Sequence, residues 1–215
     1  MIGDSFAYAK DAVLGKWMQW LLLIIATILL TIPLLGYTLK VFRGEKPAPE
    51  VTGWGTLIID GIKYAIVSII WAIPCIIIFF LLLGNLFGAI ATMDTGAMIA
   101  FISGAIISFI VLVIIAIITG LLATIGIIRF ARTGSMGEAF NFGAILETIG
   151  KIGWGSYIIA MIVLIIVQLI FFGVISCLNL IVPMLGLVVE LIVLGPYTIF
   201  MARYLCQVYD AAGTA

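Results

Sequence analysis

There is no histidine in this 215-residue chain. That absence removes the usual side-chain switch near neutral pH, the commonest general base and the commonest metal ligand together. Charge is scarce as well: acidic and basic side chains make up 9% of residues, ten of each sign, and the formal net charge is zero. Only three cysteines occur, Cys75, Cys177 and Cys206, each in or beside an apolar run and without CxxC spacing. Neither a metal knot nor a disulfide framework is indicated, and they read as small buried hydrophobes. No phosphate-binding GxxxxGKS/T loop, HExxH, nucleophile elbow or dinucleotide fingerprint appears. The chain is therefore not expected to be an enzyme, to hold a cofactor or metal, or to bind nucleic acid.

What is present is hydrophobic surface, at 65% of residues and a mean hydropathy of +1.40. This composition belongs to integral membrane proteins. A helix rises about 1.5 Å per residue and the hydrocarbon layer is about 30 Å thick, so a span needs roughly 20 apolar residues. Five stretches qualify, Trp17 to Leu35, Tyr64 to Leu83, Ala97 to Ile128, Tyr157 to Ile175 and Leu180 to Met201. The expected fold is an all-α membrane bundle of about five transmembrane helices with short interfacial helices, forming one domain over 1–215. The first run exceeds a signal-peptide core and lacks a small-residue cleavage pattern, so it is expected to remain as an anchor. The third is too long to stand upright, and either tilts, projects, or begins with an interfacial turn before Ser103. Between the fourth and fifth, Ser176 to Asn179 and Pro183 to Gly186 are both plausible turns, and Asn85 and Asn179 read as turn residues.

If all five runs cross, Lys40, Arg43, Lys46, Lys63, Arg129, Arg132, Lys151 and Arg203 share one face and only Lys10 and Lys16 lie on the other. Positive-inside asymmetry then places the N-terminus outside and the C-terminus in the cytoplasm of a cell-membrane protein. That orientation depends on the first run spanning.

The first, third and fifth runs end alike, with Tyr37 six residues before Arg43, Tyr197 six before Arg203, and Gly126 six before Arg132. At an offset of 88 residues Trp54, Gly55, Leu57, Ile58 and Lys63 match Phe142, Gly143, Ile145, Leu146 and Lys151. Both segments repeat apolar positions at i, i+3 and i+4, as short amphipathic helices on a membrane surface do. The pattern suggests parallel repeat units at 17–83 and 97–175, closed by a helix at 180–203. Residues 1–16, with Ile2, Phe6, Ala9, Val13 and Trp17 on one face, form a further interfacial helix.

Gly36-Tyr37 with Lys40, Arg43 and Gly44-Glu45, then Trp54 with Asp60-Gly61-Ile62-Lys63, and Glu138-Ala139-Phe140 leading into Ile145 to Gly155, together resemble a multi-pass membrane family known as domain of unknown function 4013. Where such relatives carry a Leu-Pro pair before the first interfacial helix, this chain has Pro47-Ala48-Pro49. The resemblance implies an archaeal source. It implies no activity, substrate or catalytic residue.

Glu190 is the one carboxylate inside an apolar run. A charge at the bilayer centre costs about 2.5 to 3.5 kcal/mol on insertion scales, so it is a candidate site, with Gln168 of the fourth run as its natural polar partner. A hydrogen-bonded structural role and a proton or cation site are both open. Gly84 and Gly88, and Ala116, Gly120 and Thr124, form small-xxx-small stripes that permit close helix approach, inside one chain or between copies. Lys40, Arg43, Lys46, Arg129, Arg132 and Arg203 would form a cytoplasmic cationic rim, anchoring to lipid headgroups or docking an acidic partner or ligand. The expectation is a non-catalytic membrane protein acting by assembly, as a homo-oligomer or an accessory subunit of a larger complex, in contact with membrane lipids. The alternative is a small transporter or channel using Glu190 and Gln168, and an intramembrane enzyme ranks third.

Overall fold

A computed structural model describes residues 1–29, 31–92 and 94–213, and for Pro183 the backbone alone. Every regular element in it is helical: α1 (Ile2–Val13), α2 (Trp17–Ile28), α3 (Ile32–Phe42), α4 (Trp54–Thr92), α5 (Thr95–Thr133), a 3-10 turn at Met136–Phe140, α6 (Phe142–Ile152), α7 (Trp154–Ile181) and α8 (Pro183–Asp210). Four of these, α4, α5, α7 and α8, are long and apolar enough to cross a membrane; a fifth crossing would require α1 and α2, bent by 100°, to act together. The protein is a multi-pass membrane protein of four to five candidate spans, as its composition implies.

The first expected span is where sequence and structure part. Residues 17–35 do not form one straight helix: α2 stops at Ile28 and α3 starts at Ile32, with Thr31 at φ 62°, a left-handed conformation that a β-branched residue seldom adopts. In a continuous helix Gln19 and Tyr37 would stand about 27 Å apart. Instead the Gln19 amide donates to the Tyr37 hydroxyl at 3.5 Å and to the carbonyl of Pro49 at 3.1 Å, so α3 folds back beside α2.

α1 runs antiparallel along the last turns of α8, where the Gln207 amide donates to Ser5 at 3.0 Å and the Arg203 guanidinium lies over the Tyr8 ring. The first and last helices of the chain therefore pack side by side. The buried face of α1 also differs from the expected stripe, for Ser5, Ala9, Ala12 and Val13 face inward while Ile2, Phe6 and Trp17 are exposed.

α4 and α5 form a hairpin of two 39-residue helices, each about 58 Å long, and α7 and α8 a second hairpin of about 42 Å. The amphipathic segment expected before the second span is no separate helix, since Trp54 to Lys63 runs directly into α4. Its counterpart α6 is separate, because Gly153 at φ 89° breaks it from α7. The third run is helical without interruption from Thr95. Asn85 and Asn179, expected in turns, both sit inside helices, and the second hairpin turns at Val182. Both hairpins rise from one packed base built of α1, α2, α3, α6 and the adjoining ends of the long helices.

Candidate functional site

The base is held by close backbone contacts that only glycine permits. A methyl placed on Gly36 would overlap the Leu57 carbonyl, one on Gly61 the Ile32 carbonyl, and one on Gly126 the Ala139 carbonyl. α3 thereby lies antiparallel against α4, with Leu57 fully buried, and Ile145 of α6 is equally buried against Gly126 of α5. Tyr37 Oη donates to the Pro49 carbonyl at 2.8 Å, pinning the loop before α4, and burial pushes its hydroxyl pKa up.

The expected cationic rim lies at this base, but Arg43, Arg129 and Arg132, half of its six members, are neutralised from within. Arg43 pairs with Asp60 at 2.6 Å, Arg132 with Asp210 at 2.7 Å, and Arg129 with Glu138. The Lys40 ammonium donates to the Thr52 carbonyl at 2.8 Å, and Lys46 is exposed. Arg203 is 6% exposed, covered by Tyr8, with its Nη1 buried and without a hydrogen-bond partner. The Arg129 hydrogen bond, and after it that of Asn141, hold the Glu138 carboxyl below the usual carboxylate range; Lys151 does the same to Glu147 on α6. The arginines thus act as staples between elements, joining α3 to α4, α5 to the 3-10 turn, and α5 to α8.

Glu190 and Gln168 are not brought together. Gln168 is exposed on α7, Glu190 is half-buried, and neither side chain makes a hydrogen bond or ion pair among the described residues. Because the turn falls at Val182, Glu190 lies seven residues into α8, about 10 Å from its start.

The small residues also behave differently from a packing seam. Gly84, Gly88 and Gly120 have no atom within 4 Å of where a Cβ would stand, and Ala116 is exposed. Thr124 bonds back to the Gly120 carbonyl at 2.8 Å. Gly84 and Gly88 face Gly104 and Ser108 across a groove of about 580 Å³ between α4 and α5. No group of three acidic or cysteine side chains is placed to hold a metal among the described residues. Cys206 is buried, Cys75 half-buried and Cys177 exposed, so the reading of all three as buried hydrophobes holds for Cys206 alone.

Residues 20–180 match the sequence profile of a family described as "Protein of unknown function (DUF4013)". The chain belongs to that family. Neither the curated proteins nor the solved structures contain a match. Three relationships inside this DUF4013 chain escape sequence reasoning: Trp20 to Ile192, Tyr8 to Arg203, and the junction of Gln19, Tyr37 and Pro49. Pro196 was the available signal for the first, since a proline inside a helix frees the carbonyl four residues before it.

Proposed function

We propose that this protein is a non-catalytic membrane component that works by assembly, as a homo-oligomer or an accessory subunit. One observation carries the reading: the two hairpins meet at the base and make no further interface among the described residues, leaving their glycine-bearing apolar faces open. In lipid, helices associate through small residues that let backbones approach closely, and Gly84, Gly88 and Gly120 offer that surface unpartnered. The internally paired arginines favour a rigid base over a charged docking rim. Particle mass in nanodiscs tests the proposal. A stoichiometric oligomer or co-purifying membrane subunit is expected; one chain per particle would contradict it.

The base would face the cytoplasm. It gathers Arg43, Arg129, Arg132, Lys151 and Arg203, whereas Asp94 is the one charged residue between Lys63 and Arg129. On this reading both termini are cytoplasmic, which replaces the outside N-terminus expected from a first crossing. A cell membrane and an archaeal source accompany the proposal through the family resemblance, and the two-unit repeat is favoured by the matched burial of Leu57 and Ile145.

A carrier or channel is the second reading, kept because Glu190 is an acid in an apolar stretch. Proteoliposome flux abolished by Glu190→Gln would establish it, and unchanged flux would remove it.

A further inference from the structure

Below the tip of the α7–α8 hairpin, the elbow between α1 and α2 leans on α7 and α8 and encloses a groove of about 620 Å³. Its wall is almost wholly apolar, formed by side chains such as Phe6, Val13, Leu14, Phe171 and Val193. One group breaks that pattern. Lys10 lines the groove and has no acidic partner within 4 Å among the described residues. The Tyr197 ring lines it as well, stacked on Phe171 with 3.9 Å between ring centroids.

An unpaired cation on an otherwise apolar wall asks for an occupant that is mostly hydrocarbon and carries negative charge at one end. A basic side chain facing lipid is offset most directly by an anionic headgroup. The volume lies within the range of ordinary small-molecule sites. We propose that this groove holds one anionic membrane lipid, its chain along Phe171 and Val193, and its headgroup within reach of the Lys10 ammonium. The Tyr197 ring flanks the same chain.

This inference goes beyond the assembly reading and can fail separately from it. The test is native mass spectrometry of the full-length protein in detergent, titrated with dioleoyl phosphatidylglycerol or with dioleoyl phosphatidylcholine. One phosphatidylglycerol should be retained per chain in preference to phosphatidylcholine. Lys10→Ala should reduce that preference about fivefold, the factor matching about 1 kcal/mol per basic residue near an anionic surface. Val193→Trp, which fills the groove, should abolish retention of either lipid. Equal retention of the two lipids, or a preference that survives Lys10→Ala, would overturn the proposal. So would a Val193→Trp variant whose particle mass falls while lipid retention stays the same, since the groove would then belong to a partner helix.

Discussion

The indole Nε1–H of Trp20 donates at 2.8 Å to the carbonyl oxygen of Ile192. Pro196 stands four residues after Ile192 and has no amide hydrogen, so this is the carbonyl that its ring leaves unpaired inside α8. A side chain 172 positions earlier in the chain thus repairs a helix broken by its own sequence and fixes the elbow of α1 and α2 against α8. Trp20→Phe keeps the ring and removes the donor. It should lower stability by about 1 to 3 kcal/mol, the cost of an orphaned acceptor in a low-dielectric setting. Pro196→Ala restores the amide, and in that background Trp20→Phe should cost measurably less. Thermal unfolding in detergent across the double-mutant cycle checks the coupling; additive effects would count against it.

Gly36 and Gly61 sit where α3 and α4 touch backbone to backbone. A methyl at either site meets a carbonyl that cannot swing away, so Gly36→Ala and Gly61→Ala should lose several kcal/mol or fail to fold, within the range seen for overpacking and above. Gly84→Ala and Gly88→Ala meet open space, and each should leave the monomer within about 1 kcal/mol of wild type. Expression and melting temperature of the four variants separate the two classes. If assembly fills the groove between α4 and α5, the second pair should instead alter particle mass.

Glu138 supplies a pH dependence of known sign. Its folded-state pKa lies below the ordinary Glu value of 4.5, chiefly through the Arg129 hydrogen bond. A carboxyl depressed in the folded state contributes stability that is complete above the unfolded value and disappears as pH falls through the folded one. The stability difference between wild type and Glu138→Gln should therefore stay constant from neutrality to about pH 4.5 and shrink below it. A difference that grows on acidification would contradict this account. The ion pair is solvent-accessible, so high salt should diminish the effect.

The four long helices were legible because each carries an uninterrupted apolar run, a signal that lipid solvation makes unambiguous. Their ends were not, since Trp54 to Lys63 and Met201 to Asp210 continue as helix with charged residues that no longer need to face lipid. Nothing in residues 17–35 announces the reversal at Thr31 apart from Pro33, and a hydropathy window cannot tell a straight span from two short helices folded together. The arginines were found, but their partners were hidden: Asp210 lies 78 positions from Arg132, and such pairings arise from the tertiary fold. Local periodicity did locate α6, but its buried face is Ile145, Thr148 and Ile149, whereas the matched Phe142 and Leu146 are exposed.

In the proposed topology one base carries both termini while the two hairpins project to the other side of a membrane. Single cysteines placed at Gly3, Asp94 and Gly213, in a chain whose native Cys75, Cys177 and Cys206 are replaced by Ala, test it directly with a membrane-impermeant maleimide on sealed vesicles. Positions 3 and 213 should label from the same side and position 94 from the opposite one. Labelling of position 3 together with position 94, and apart from position 213, would restore a crossing by the first apolar run and contradict the account.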